Sequence, residues 1–160
     1  MRETTAREPA EEAHSDVLVL SRELYERVIA HARAEFPNEA CGVVAGQVGT
    51  ALEVYEMQNA EASPVAYRFD EREQLRVFND VERKGWDILA FFHSHTHTEA
   101  YPSPTDRGQA HWTDPVTLEE VPAYPQTRYL ILSLMNWAQP LLRVFRFEGG
   151  EAVEEEVRIA

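Results

Sequence analysis

Four apolar residues at 17–20 give way to a stretch in which Leu24, Val28, Ala32 and Phe36 recur every fourth position, so a strand pattern passes directly into a helical one. Ser21 is placed to cap that helix and Pro37 to stop it. Residues 41–48 and 51–58 are strand-like runs of small and β-branched residues, split by Gly49-Thr50, which predicts a hairpin. A short strand is expected at 65–69. Asp70-Glu71-Arg72-Glu73 then opens a helix with Leu75, Phe78 and Val81 on one side, and Gly85 ends it. The bulky run at 86–92 follows that glycine and predicts a buried strand. Ser103-Pro104-Thr105-Asp106 predicts another helix start, with serine at the cap and proline at the first helical position. Residues 113–127 contain three prolines and no helical period, so they are expected to be an irregular loop, and loops of that length are often functional. Two strands are expected at 128–135 and 141–147, the second with one wet face. Residues 152–159 alternate apolar and acidic side chains, as in a last edge strand whose charges discourage pairing. The class these elements predict is α/β in the mixed α+β sense: a mixed, largely antiparallel sheet with flanking helices, its strand order left open.

Composition changes little in that picture and removes several functions. A chain of 160 residues, 44% hydrophobic, supports one globular domain, expected at 16–160. Residues 1–15 carry charges without apolar periodicity and are expected to be a disordered acidic tail. The formal charge of −13 argues against a nucleic-acid partner, because phosphate contacts need clustered Lys and Arg. With no apolar run approaching ~20 residues and no charged-then-apolar leader, no membrane span is expected and the location is expected to be cytoplasmic. A single cysteine excludes an internal disulfide and the Cys-x-x-Cys pairs of structural zinc. Cys41 lies in a run of small and β-branched residues and reads as a packed thiol rather than a nucleophile.

The candidate chemistry lies at 93–106. His93, His95 and His97 alternate, and residues two apart in an extended strand face one side, so His93 and His95 can meet a common ion at about 2.0–2.1 Å. Asp106 has two readings: an acid completing a capping box, or a third ligand held in a first helical turn. Three protein ligands leave a tetrahedral zinc one open position, the layout of catalytic sites. Alternation also allows His97 as the third ligand; otherwise it lines a substrate groove. His31 has no partner at chelating spacing and reads as a helix-surface histidine, His14 lies in the tail, and His111 follows Asp106 in the expected helix with its facing left open. Glu39 is either a solvated acid at a helix end or a base.

The order His-Ser-His, seven residues, Ser, two residues, Asp resembles the signature of the JAMM/MPN (Mov34-type) metallopeptidases, carried here by His93, Ser94, His95, Ser103 and Asp106. Those enzymes also have an upstream glutamate before a small residue and Cys-Gly or Val-Gly, matched by Glu39-Ala40-Cys41-Gly42. The resemblance covers roughly residues 17 to 147. It implies an MPN/cytidine-deaminase-like layered fold, one Zn2+ per chain on His93, His95 and Asp106, Glu39 as catalytic base and Ser103 as oxyanion donor. Ser94 would support a ligand or the base. A metallo-β-lactamase-type arrangement would need an acid where His97 stands. The implied activity is cleavage of the peptide or isopeptide bond after the C-terminal glycine of a ubiquitin-like or sulfur-carrier protein. The chain is most similar to small bacterial members that release cysteine from such a carrier. A flexible Gly-Gly tail is expected to add to a strand edge and present its last carbonyl. The alternatives are a non-catalytic MPN scaffold and a general small-peptide metallohydrolase.

Overall fold

The computed structural model describes residues 16–160, so the tail expected at 1–15, with His14, lies outside the described residues. Strand β1 (Val17–Leu20) leads into helix α1 (Arg22–Glu35), whose Ser21 cap accepts from the Leu24 N–H. Leu24, Val28 and Ala32 are buried as the four-residue period requires, but Phe36 falls at the C-cap, turns outward and is 39% exposed. β2 (Cys41–Gln47) and β3 (Thr50–Met57) form the expected hairpin. Its two-residue turn is Val48-Gly49, one position earlier than the sequence suggests, with both residues at positive φ as a right-twisting hairpin turn demands.

No strand forms at 65–69; the segment makes only an isolated bridge, Asn59 to Phe69. Helix α2 (Glu71–Arg83) is capped by Asp70, and its buried stripe is Val77 and Val81, leaving Leu75 exposed. β4 (Asp87–His95) is buried almost throughout and is followed by the short helix α3 (Pro104–Gln109). The segment expected to be irregular is partly ordered, because β5 (His111–Thr113) and β6 (Glu120–Pro122) form a small antiparallel pair of their own. β7 (Arg128–Ser133), β8 (Leu141–Glu148) and β9 (Glu151–Ile159) complete the chain, and burial along β8 does not alternate cleanly.

The sheet is mixed and runs β1-β3-β2-β4-β7-β8-β9, with β9 returning in parallel to β1. β9 is therefore not an edge. Its apolar-acidic alternation suits a strand with one wet face, and paired on both sides it closes a barrel in which no long edge is left open. The buried pair Arg128 and Glu155, 3.2 Å apart, ties β7 to β9 across β8. Among the described residues no helix is long and apolar enough to cross a membrane.

β2 and β4 read as continuous apolar runs because both of their faces are covered. Val44, Ala90 and Phe92 pack in the cluster under α1, while Cys41, Val43, Ala45 and Phe91 pack in the cluster under α2. Gly42 sits where this sandwich leaves no room for a side chain. A Cβ there would overlap the Tyr55 carbonyl oxygen and the Phe92 ring. Gly42→Ala is accordingly expected to destabilise the protein by about 1–3 kcal/mol, the usual range for overpacking a core. Urea unfolding checks it: the midpoint should fall with the slope unchanged.

Candidate metal centre

β4 emerges from between β2 and β7 with Phe91, His93 and His95 on one face, so the two histidines are delivered by a strand held on both sides. Cys41 pairs with His93 and Ser133 with His95. Asp106 arrives from α3, where Ser103 accepts from the Asp106 N–H at 3.0 Å and the Asp106 carboxylate accepts from the Ser103 N–H at 2.9 Å. The two readings of Asp106 are thus compatible: the capping box fixes the carboxylate, and the same oxygen faces the histidines. Asp106 Oδ2 lies 3.1 Å from His93 Nε2 and 3.0 Å from His95 Nε2, and the two ring nitrogens are 3.1 Å apart.

These three buried groups can hold a metal ion. Ligand atoms at roughly 2.0–2.1 Å from a tetrahedral zinc stand about 3.3 Å apart, so the observed triangle needs only slight expansion. Two imidazoles and a carboxylate are a donor set zinc accepts. His95 Nδ1 donates to the Glu99 carbonyl at 2.7 Å, so once Nε2 gives up its proton its lone pair is the one aimed at an ion. Burial works to raise the Asp106 pKa, but hydrogen bonds from His93, His95 and the Ser103 N–H hold the carboxyl well below its usual range. Burial pushes His93 down. His95 is raised, since its bonds to Asp106 and Glu99 outweigh its own burial.

Glu39 lies in the link between α1 and β2, 4% exposed, with Oε1 unpartnered. Its backbone is pinned on both sides, N–H to the Ser63 carbonyl at 2.9 Å and carbonyl to the Asn59 amide at 3.0 Å. Burial pushes its carboxyl up to about 8, with His95 lowering it and Asp106 raising it, so the group senses the histidine–aspartate cluster. A buried carboxyl without partners is not a solvated surface acid. Ser94, between the two histidines, points away from them, and its Oγ accepts from the Ala40 N–H at 2.8 Å, locking β4 to the residue beside Glu39.

His97 lies past the end of β4, exposed, against the Phe36 ring at 5.6 Å and outside the three-residue cluster. Once the backbone leaves extended geometry, alternation no longer applies. His31 is half buried and donates to the Cys41 carbonyl at 3.1 Å, tying α1 to β2. His111 donates to the Arg107 carbonyl at the end of α3 and packs on Phe147. Burial pushes the Cys41 thiol up to about 12, which leaves it inert at neutral pH. Sequence reasoning missed Asn59, Tyr67 and Thr96. Thr96 donates to the Pro64 carbonyl at 3.1 Å, and Tyr67 stacks on the His93 ring. Asn59 and Tyr67 belong to no spacing pattern and only the loop's path brings them to the site, while Thr96 adjoins His95 in the chain and only its partner Pro64 comes from that loop.

Residues 21–140 match the family of prokaryotic homologs of the JAB domain. The chain belongs to that family. A JAB relative, the CysO-cysteine peptidase of Mycobacterium tuberculosis, is 37% identical over 145 residues, covering 89% of this chain and 91% of its own. A probable TtuB-protein conjugate cleaving protease of Thermus thermophilus is 36% identical over 106 residues, 66% of this chain and 71% of its own. Among solved structures, a Desulfitobacterium hafniense protein superposes with a TM-score of 0.74 at 32% identity, covering 90% of this chain and 92% of that one. The candidate residues from Glu39 to Asp106 lie inside the matched span.

Proposed function

We propose that the protein is a zinc-dependent hydrolase that cleaves the peptide or isopeptide bond after the C-terminal glycine of a ubiquitin-like or sulfur-carrier protein. The observation that carries this reading is the convergence of His93 Nε2, His95 Nε2 and Asp106 Oδ2 next to a buried carboxyl with an unpartnered oxygen. A zinc held by these three residues supplies a Lewis acid that lowers the pKa of water to about 7 and polarises a carbonyl. Glu39 takes a proton from the attacking water and passes it to the departing amine, so that water is added across the C–N bond and a carboxylate and an amine result. Ser103 accepts from the Asp106 N–H through a lone pair, and its own proton remains available for the oxyanion that develops on the scissile carbonyl. Ser94 keeps Glu39 in register with the ligand strand.

The names of the relatives support a carrier substrate and frame the choice of leaving group. One cleaves a cysteine adduct by its name, and the other cleaves protein conjugates. The longer match is to the cysteine peptidase, so a C-terminal cysteine adduct is the favoured substrate. β4 is paired with β2 as far as His93 and with β7 as far as His95, so it offers a carrier's Gly-Gly tail no long edge to join, and the tail reaches the site across the strand's end. The folded body of the carrier then supplies the binding energy that positions the bond. Incubation with a carrier bearing a C-terminal cysteine or a lysine-linked protein, with product masses measured, is expected to show loss of the cysteine and a kcat/KM far above that for the free tail peptide. Equal values for carrier and peptide would point to a general small-peptide metallohydrolase.

A further inference from the structure

The two histidines of the cluster are supported in different ways. A ligating imidazole is usually aimed by a hydrogen bond from its second nitrogen. His95 follows the rule through the Glu99 carbonyl. His93 does not: its Nδ1 is buried and has no hydrogen-bond partner. What lies against His93 is the ring of Tyr67, stacked face to face with centroids 4.6 Å apart and planes 22° apart. We propose that Tyr67 is a positioning residue for His93, fixing by ring stacking the orientation that a hydrogen bond fixes for His95; the proposal rests on the zinc reading given above.

The sequence around Tyr67 is built to hold that ring still. On one side it is backed by Phe69, centroids 5.7 Å apart, which packs edge-on against Phe91 of β4 at 5.7 Å. Both peptide neighbours of Tyr67 are gripped by one buried side chain. Asn59 Nδ2 donates to the Ala66 carbonyl at 2.9 Å, and its Oδ1 accepts from the Arg68 N–H at 3.2 Å and the Glu61 N–H at 3.0 Å. The same Nδ2 donates to the Glu39 carbonyl. One amide therefore sets the Tyr67 ring and the Glu39 backbone relative to each other. The Nε2 lone pair lies in the imidazole plane, so holding the plane of His93 holds one of the two angles that aim the lone pair. The packed strand sets the other.

The test is zinc affinity, measured by competition with a chelator, together with the visible spectrum of the Co2+-substituted protein and the melting temperature of the metal-free form. Tyr67→Leu, which removes the stack but keeps an apolar side chain, is expected to weaken zinc binding by about 10–100-fold, the usual loss when a ligand's support is removed. Its Co2+ bands should shift. Tyr67→Phe keeps the ring and is expected to bind as the wild type does. Asn59→Ser, which frees the loop without touching the ring, should weaken binding in the same direction and carries the test if Tyr67→Leu does not fold. A lower melting temperature with unchanged zinc affinity and unchanged Co2+ bands would make Tyr67 a packing residue only and overturn the proposal. Failure of the wild type to take up zinc would overturn the metal reading and this proposal together.

Discussion

Glu39→Gln is expected to lower kcat by about 10²–10⁴-fold, the usual contribution of a general base, while zinc content stays at one per chain. The amide keeps the shape of the carboxyl but cannot take a proton from water. The same variant has a signature that needs no substrate. In the metal-free protein the folded-state pKa of Glu39 is about 8, raised by burial above the ordinary glutamate value. Between about pH 4.3 and 8 the unfolded chain has released a proton that the folded chain still holds, so Glu39's contribution to stability is full at low pH and is lost as pH rises through that window. Asp106, His93 and His95 titrate in both proteins. The difference in urea midpoint between wild type and Glu39→Gln, followed from pH 5 to 8.5, therefore reports Glu39 together with its coupling to His95 and Asp106, and should narrow or reverse as pH rises. A difference independent of pH, with activity near wild type, would return Glu39 to the role of a solvated acid.

The parts of the site that could be read from sequence are those set by local geometry. Two residues of strand put His93 and His95 on one side, and three residues of capping box put Asp106 and Ser103 in contact, whatever the rest of the chain does. Contacts that depend on a loop's path left no such trace. Asn59 makes bonds to residues on both sides of Tyr67 and to Glu39, yet nothing in its flanking residues marks it. The same division holds for the fold. In α2 the helical period marks Leu75, Phe78 and Val81 as one face, but packing turns the helix so that Val77 and Val81 are buried with Phe78 set against Phe91, and Leu75 is left exposed. For β9, alternation establishes that one face is wet but not whether a neighbour lies on each side. Here β8 lies on one side and β1 on the other, and the strand becomes the seam of a barrel.

The largest effect on the metal itself is expected from His95→Ala, which removes one of three ligand atoms and leaves Asp106 Oδ2 and His93 Nε2 as a two-point site. A tetrahedral zinc held by two protein atoms is not retained through dialysis against a chelator, so metal content should fall from one per chain to near zero, and hydrolysis with it. His97→Ala is the matched control. That ring is exposed and packs on Phe36, which itself meets Trp137 at 5.3 Å, so its loss touches the rim of the site and not the ligand triangle. Zinc should stay at wild-type content, and any change should appear in KM. The two variants differ by two positions along the chain, and alternation alone would make them equivalent. Metal analysis after dialysis separates them: zinc lost from His97→Ala and kept by His95→Ala would mean that His97, beyond the end of β4, takes the place of His95 beside His93 and Asp106, whereas zinc lost from both would make His97 a third histidine ligand and Asp106 a capping acid.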